Sequence, residues 1–193
     1  MAAPASKTIK DLSGKWSINK TLSDPTDPAL ALQGMSWLLR KAIGAASIVL
    51  AVTQYVDEAG QTHIDIEQSA SGLRGTREAR VLNWTAREHK DWLFGTARGR
   101  SKFISLGELA TLVGEGEARK EGWVDSDFLA LDWEGGEADE VVLNHVDADA
   151  GWQATQVWGF QVVGGERRYV RNVVVRKGEK YECLKMIYDF IPE

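Results

Sequence analysis

Residues 153–190 read QATQVWGFQVVGGERRYVRNVVVRKGEKYECLKMIYDF. Gly164-Gly165 and Lys177-Gly178 divide this stretch into three runs rich in Val, Thr, Ile and aromatic residues, the pattern of antiparallel strands joined by tight turns. Strands are expected at 153–163, 169–176 and 180–190. Period-2 alternation sets Leu184, Met186, Tyr188 and Phe190 on one face of the last strand and Lys185 on the other. In the first, Ala154, Gln156, Trp158, Phe160 and Val162 share a face.

The same pattern extends towards the N-terminus, with strands expected at 14–19, 47–57, 62–70, 76–84, 91–97, 102–106, 122–133 and 140–146. Pro4, Pro25, Pro28 and Pro192 all lie outside residues 29–191. Proline cannot donate to a ladder, so the long proline-free stretch suits continuous central strands. One helical interval interrupts the pattern early. Asp27-Pro28 supplies a cap and a first-turn proline, Gly34 breaks the run after Leu32, and Ser36 to Ile43 resumes it. A mainly β chain with about ten antiparallel strands must close or sandwich to hide its edges. The expected solution is a single closed meander β-barrel with a short helix-turn-helix between the first and second strands and interior room for a ligand. A two-sheet sandwich with a filled core is the alternative. Residues 1–12 are expected to be a flexible N-terminus and 13–193 the single barrel domain.

Composition narrows the function classes. The 193 residues carry a net charge of -5 and one cysteine, Cys183, so a disulfide framework, a Cys-rich zinc site and a nucleic-acid footprint are not expected. His63, His89 and His145 are too scattered for a metal-ligand spacing, so no metal is expected. Arg167, Arg168 and Arg171 read as a solvated strand face among acidic neighbours. The N-terminus lacks an apolar leader, and the longest apolar run, 42–52, is too short to span a bilayer, so a cytoplasmic protein is expected. No GxSxG, Walker loop or strand-placed GxGxxG appears, so no cofactor is expected; Gly114-Glu115-Gly116 reads as a turn.

The order of elements resembles the calycins, the superfamily of lipocalins and cytosolic fatty-acid-binding proteins. The residues that carry it are Gly14-Lys15-Trp16 on the first strand, the helical segment from Gly34 to Ala42 with its Arg40-Lys41 pair, and the ending Lys177-Gly178, Cys183 and Tyr188. The chain also resembles lipocalin-like proteins of filamentous fungi associated with secondary metabolism. The resemblance implies that Trp16 closes the barrel base and that the helical segment is a portal, with Trp37 as a cap over the mouth and Arg40 beside it. Fatty-acid-binding proteins anchor a carboxylate with an inward Arg-x-Tyr on the last strand; here Met186 stands two residues before Tyr188. The tyrosine survives without its arginine, which weighs against a free fatty acid and towards an aromatic ligand. The stretch 107–121 is additional to a typical member.

Trp37, Arg40, Trp84, Trp158, Phe160, Met186 and Tyr188 are therefore ligand-binding candidates, with Trp158 and Phe160 forming either an aromatic wall or part of a solid core. Tyr188 is a candidate to contact ligand oxygen. Glu78 and Arg80 share a face with Leu82 and Trp84, which makes Arg80 either an interior anion binder or part of an outward salt-bridge ladder. Arg100 and His145 have the same standing, because a one-residue slip reverses the face; Tyr188, Arg80, Arg100 and His145 are the candidate catalytic residues. Two functions follow from the resemblance. One is a cofactor-free isomerase or cyclase acting on a hydrophobic, aromatic small molecule by a chalcone-isomerase-like intramolecular ring closure. The other is a non-catalytic intracellular carrier of a fatty acid or other hydrophobic ligand. A monomer or small homo-oligomer suits both.

Overall fold

The computed structural model describes residues 1–114 and 123–192. Ten strands form one antiparallel sheet in the order β4-β3-β2-β1-β10-β9-β8-β7-β6-β5. They are β1 (Gly14–Ile18), β2 (Ile48–Val56), β3 (Thr62–Ala70), β4 (Leu73–Val81), β5 (Arg87–Asp91), β6 (Gly95–Ser105), β7 (Glu140–Ala148), β8 (Gln153–Val163), β9 (Glu166–Lys177) and β10 (Lys180–Ile191). The β8–β9 hairpin closes through Gly164 and Gly165, at φ 62° and 78°, the left-handed pair that a two-residue turn demands. Between β1 and β2 lie α1 (Asp27–Leu32) and α2 (Trp37–Ala45); Ser36 caps α2 by accepting from the Leu39 N–H, whereas Asp27, expected to cap α1, is its first helical residue and Thr26 before it makes no side-chain cap bond.

The sheet curls into a nearly closed barrel whose two edges, β4 and β5, face each other across a seam with no ladder between them. The Trp84 N–H donates to the Ser101 carbonyl at 2.8 Å and Trp92 Nε1 donates to the Gly75 carbonyl at 3.2 Å, tying the edges at separate points. Trp84 turns the chain there with φ 58°, a costly value for a bulky residue. Its ring is held by Arg100 and Lys102, whose cationic ends lie 4.8 and 5.2 Å from the ring centre.

Inside, Trp16, Leu50, Ile64, Trp158, Tyr169 and Tyr188 pack one end of the barrel solid. Outside, a second apolar layer covers β7, β8 and β9, which explains why these strands are apolar in both phases. That layer is built by α3 (Leu106–Gly114), α4 (Ser126–Leu129) and the tryptophans Trp123 and Trp133. Here the structure departs from the expected strand at 122–133. Its described part holds a short helix, because Trp123, Leu129 and Trp133 are apolar to cover a sheet rather than to join one. Of the expected turn at 114–116, Glu115 and Gly116 lie outside the described residues. The expected strands 91–97 and 102–106 merge into β6, and the turn falls earlier, at 92–94.

Residues 1–12, expected to be flexible, are packed down. Ala3 donates to the Arg167 carbonyl at 2.7 Å, and Leu12, 1% exposed, sits under Trp16, whose Nε1 donates to the Leu12 carbonyl at 2.8 Å. Ile9 and Leu12 are apolar because they plug the barrel end that Trp16 lines. Among the described residues no helix is long and apolar enough to cross a membrane.

Candidate active site

A cavity of about 350 Å³ opens along the seam, at the end of the barrel opposite the packed core. Small residues make room for it. Ala97 and Gly99 on β6, Val146 on β7 and Ala154 on β8 point inward where large side chains fill the other end. Trp152 and Phe94 meet edge-on at 5.8 Å beneath α1, closing the far side.

The cavity floor is polar. Glu78 and Arg80 alternate inward on β4, opposite Ile66 and Ile64 of β3, and bond to each other at 2.5 Å. The Arg80 guanidinium lies 5.1 Å from the Trp158 ring, and that of Arg171, from β9, lies 4.0 Å from it. Arg171 Nε donates to the Tyr169 hydroxyl at 2.9 Å. Arg80 Nε and Arg171 Nη2 are buried without a hydrogen-bond partner among the described residues. Gln156, on the cavity wall, accepts from Trp158 Nε1 at 2.9 Å, and Ser101 accepts from Asn144 at 3.1 Å.

Charge in this floor is balanced locally. Burial alone would raise the Glu78 carboxyl, but Arg80 and then Arg171 outweigh it and hold it below its ordinary value of 4.5. Burial works against the Arg171 charge, and Tyr169, Tyr188 and Glu78 more than restore it. Burial raises the Tyr169 phenol and pushes that of Tyr188 up to about 12, with Arg171 pulling both back. Both therefore stay neutral donors at physiological pH.

Of the residues singled out in the sequence, Arg80 lines the cavity. Trp158, Phe160 and Tyr188 point inward and belong to the packed core beneath it, at 0%, 6% and 2% exposure. The Tyr188 hydroxyl meets Met186 Sδ at 3.9 Å. Arg100 and His145 pair across β6 and β7 in a register that turns both outward, away from the cavity. There His145 bonds Thr155 Oγ1 at 2.8 Å and stacks on Trp123 at 5.4 Å. Trp84 also faces out, under Arg100. Trp37 is 63% exposed on α2 and does not line the seam cavity, while Arg40 turns back to the Met35 carbonyl at 2.9 Å and to Asp27 at 3.4 Å.

Arg171 is the residue that sequence reasoning misplaced. It is 8% exposed rather than solvated, and it pairs directly with Met186 across β9 and β10 while Tyr169 pairs with Tyr188. An arginine two residues from a tyrosine is thus present inside the barrel, one strand over from the last. Alternation through Tyr169, Arg171, Val173 and Val175 carried that signal. Glu78, His89 and Asp91 also line the cavity. Among the described residues no three His, Cys, Asp or Glu side chains converge as a metal site.

A nearly closed ten-stranded barrel with a helix pair between its first two strands and an internal cavity is the architecture of the fatty-acid-binding proteins. The REP1-NXSQ fatty acid transporter superposes with a TM-score of 0.53 at 12% identity over 94% of this chain and 97% of that one. A Schistosoma mansoni fatty acid binding protein in complex with arachidonic acid does so with a TM-score of 0.53 at 11% identity, over 93% and 96%. No family model matches the chain. In sequence it is 31% identical to the probable pericyclase scpY of Mollisia scopiformis, over 98% of this chain and 95% of that protein. It is 28% identical to the pericyclase pydY of an Acremonium species, over 99% and 97%. The chain belongs to the family of these fungal proteins.

Proposed function

We propose that this protein is a cofactor-independent cyclase of fungal secondary metabolism that closes a ring within one hydrophobic, carbonyl-bearing molecule held in the seam cavity. The observation that carries the reading is the pairing of a largely apolar chamber with a buried guanidinium, Arg80 on the floor, whose Nε–H has no hydrogen-bond partner among the described residues. Ring closure within one molecule needs a folded conformer and a donor for the oxygen on which charge builds, and both are supplied without a cofactor. The walls of Val146, Ala154 and Trp152 select the conformer, and Arg80, steadied by Glu78, presents the donor. A pericyclic closure and a chalcone-isomerase-like addition of oxygen to an enone ask the same of this site. The family relationship to pericyclases supports the first.

A carrier function is the second reading, favoured by Arg171 opposite Met186, which restores a cation where a carboxylate head group would sit. One experiment separates the two. The protein, freed of metals, is given linear carbonyl-bearing polyenes and 2′-hydroxychalcones, and products are resolved by chiral chromatography against a protein-free control. A single stereoisomer formed faster than background supports the cyclase. Background product from every compound, with saturable binding of a fatty acid, supports the carrier.

A further inference from the structure

His89 and Asp91 on β5 line the cavity across the seam from Glu78 and Arg80, and ring closure as described leaves them without a task. Asp91 is a rigid partner: Oδ1 accepts the backbone N–H groups of Leu93 at 2.7 Å and Phe94 at 2.6 Å. Its Oδ2 lies 3.2 Å from His89 Nε2. A carboxylate fixed by the backbone orients the imidazole and holds the proton on Nε2, which leaves Nδ1 as the basic nitrogen. At 43% exposure the His89 side chain also reaches solvent, so it can exchange its proton after each turnover. The other surface pair of this kind, His63 with Asp57 at 2.8 Å, stacks on Tyr55 at 4.8 Å on the outward face of β3 and does not line the seam cavity.

We propose that the cavity also carries out proton transfer, with His89 as general base oriented by Asp91 and Arg80 as donor to the enolate oxygen. This deepens the cyclase reading and rests on the cavity being a reaction chamber. The substrate class is an enolisable carbonyl compound. Nδ1 takes a proton from the carbon beside the carbonyl, the C–H pair becomes a C=C bond, and the carbonyl π pair moves to oxygen, where the Arg80 guanidinium on the cavity floor meets it. The imidazolium returns the proton to that oxygen or to a conjugated carbon, so the net change is an isomerisation with no oxidant or reductant. The enol supplies the extra double bond that the ring closure consumes.

The test uses 5-nitrobenzisoxazole, in which loss of one C–H proton to a base breaks the N–O bond and releases a coloured cyanophenolate. The expected result is a wild-type rate above that of free imidazole at equal concentration. It falls about 100-fold in His89→Gln and about tenfold in Asp91→Asn, and is unchanged in His63→Gln. Near-ultraviolet circular dichroism checks that each variant is folded. A rate that survives His89→Gln, or the absence of any wild-type rate, overturns the proposal. Binding of 1-anilinonaphthalene-8-sulfonate, and its loss in Gly99→Leu, is read separately. Dye binding without a His89-dependent rate overturns the base alone, whereas no dye binding overturns the reaction chamber with it.

Discussion

Arg80 and Glu78 form an ion pair inside a barrel, and each is costly without the other. Arg80→Met leaves Glu78 with Arg171 and removes the donor that faces the cavity. The expected outcome is a loss of about 3 kcal/mol in the unfolding free energy from urea titration, with affinity for a carbonyl or carboxylate ligand down about tenfold by dye displacement. Glu78→Gln tests the charge balance through pH. The Glu78 carboxyl lies below its ordinary 4.5 in the folded protein, so its contribution is complete above that value and is lost as pH falls through the lower folded value. Asp11 and Asp57 are depressed as well and act in the same direction, but they remain in the variant. Urea midpoints at about pH 6 and about pH 4 should therefore differ less in Glu78→Gln than in the wild type. At this scale the sequence was half legible. Alternation joined Glu78 to Arg80 but left the face open, and a run of arginines hid Arg171 because exposed and buried arginines look alike until the register is known.

The outer layer and the N-terminal segment explain two features of the elements. Gly159 on β8 has no room for a side chain: a Cβ there would meet Trp133 Cε3 at 2.9 Å and Val141 Cγ1 at 3.0 Å. Gly159→Ala is expected to cost about 2 kcal/mol in denaturant unfolding, because Trp133 must lift from the sheet. Leu12→Ala is expected to cost about 3 kcal/mol, the price of a cavity under Trp16, and a loss below about 0.5 kcal/mol would show the segment to be loose after all. Strands with clear turns, such as β8, β9 and β10, were legible because their glycines and alternation are local signals. The segment around Trp123 and Trp133 was not, since aromatic and branched residues that cover a sheet have the composition of residues within one. Residues 1–12 were misjudged for a similar reason: Ile9 and Leu12 gain burial only against strands distant in sequence.

For the molecule as a whole, the seam decides where chemistry can occur. Every strand except β4 and β5 is paired on both sides, and the cavity lies where that pairing stops. Amide exchange should follow this division, with β4 and β5 exchanging faster than β8 and β9, which are buried on both faces. The barrel class was legible from strand number and helix placement, but the seam was not, because an absent pairing leaves no mark on either strand. The measurement that bears most directly on the account is stereoisomer-resolved turnover by Gly99→Leu beside the wild type. A Cβ at Gly99 sits at ordinary contact distance, 3.5 Å from Arg80 Nη1 and 3.7 Å from Val146 Cγ2, so the first carbon of a leucine is accommodated and the rest of its side chain enters the chamber beside Arg80. The account predicts a folded variant that has lost both dye binding and the single-isomer product that the wild type forms from a linear carbonyl-bearing substrate. Turnover that persists with the cavity filled, or a wild type that yields only the background mixture of isomers, would contradict it.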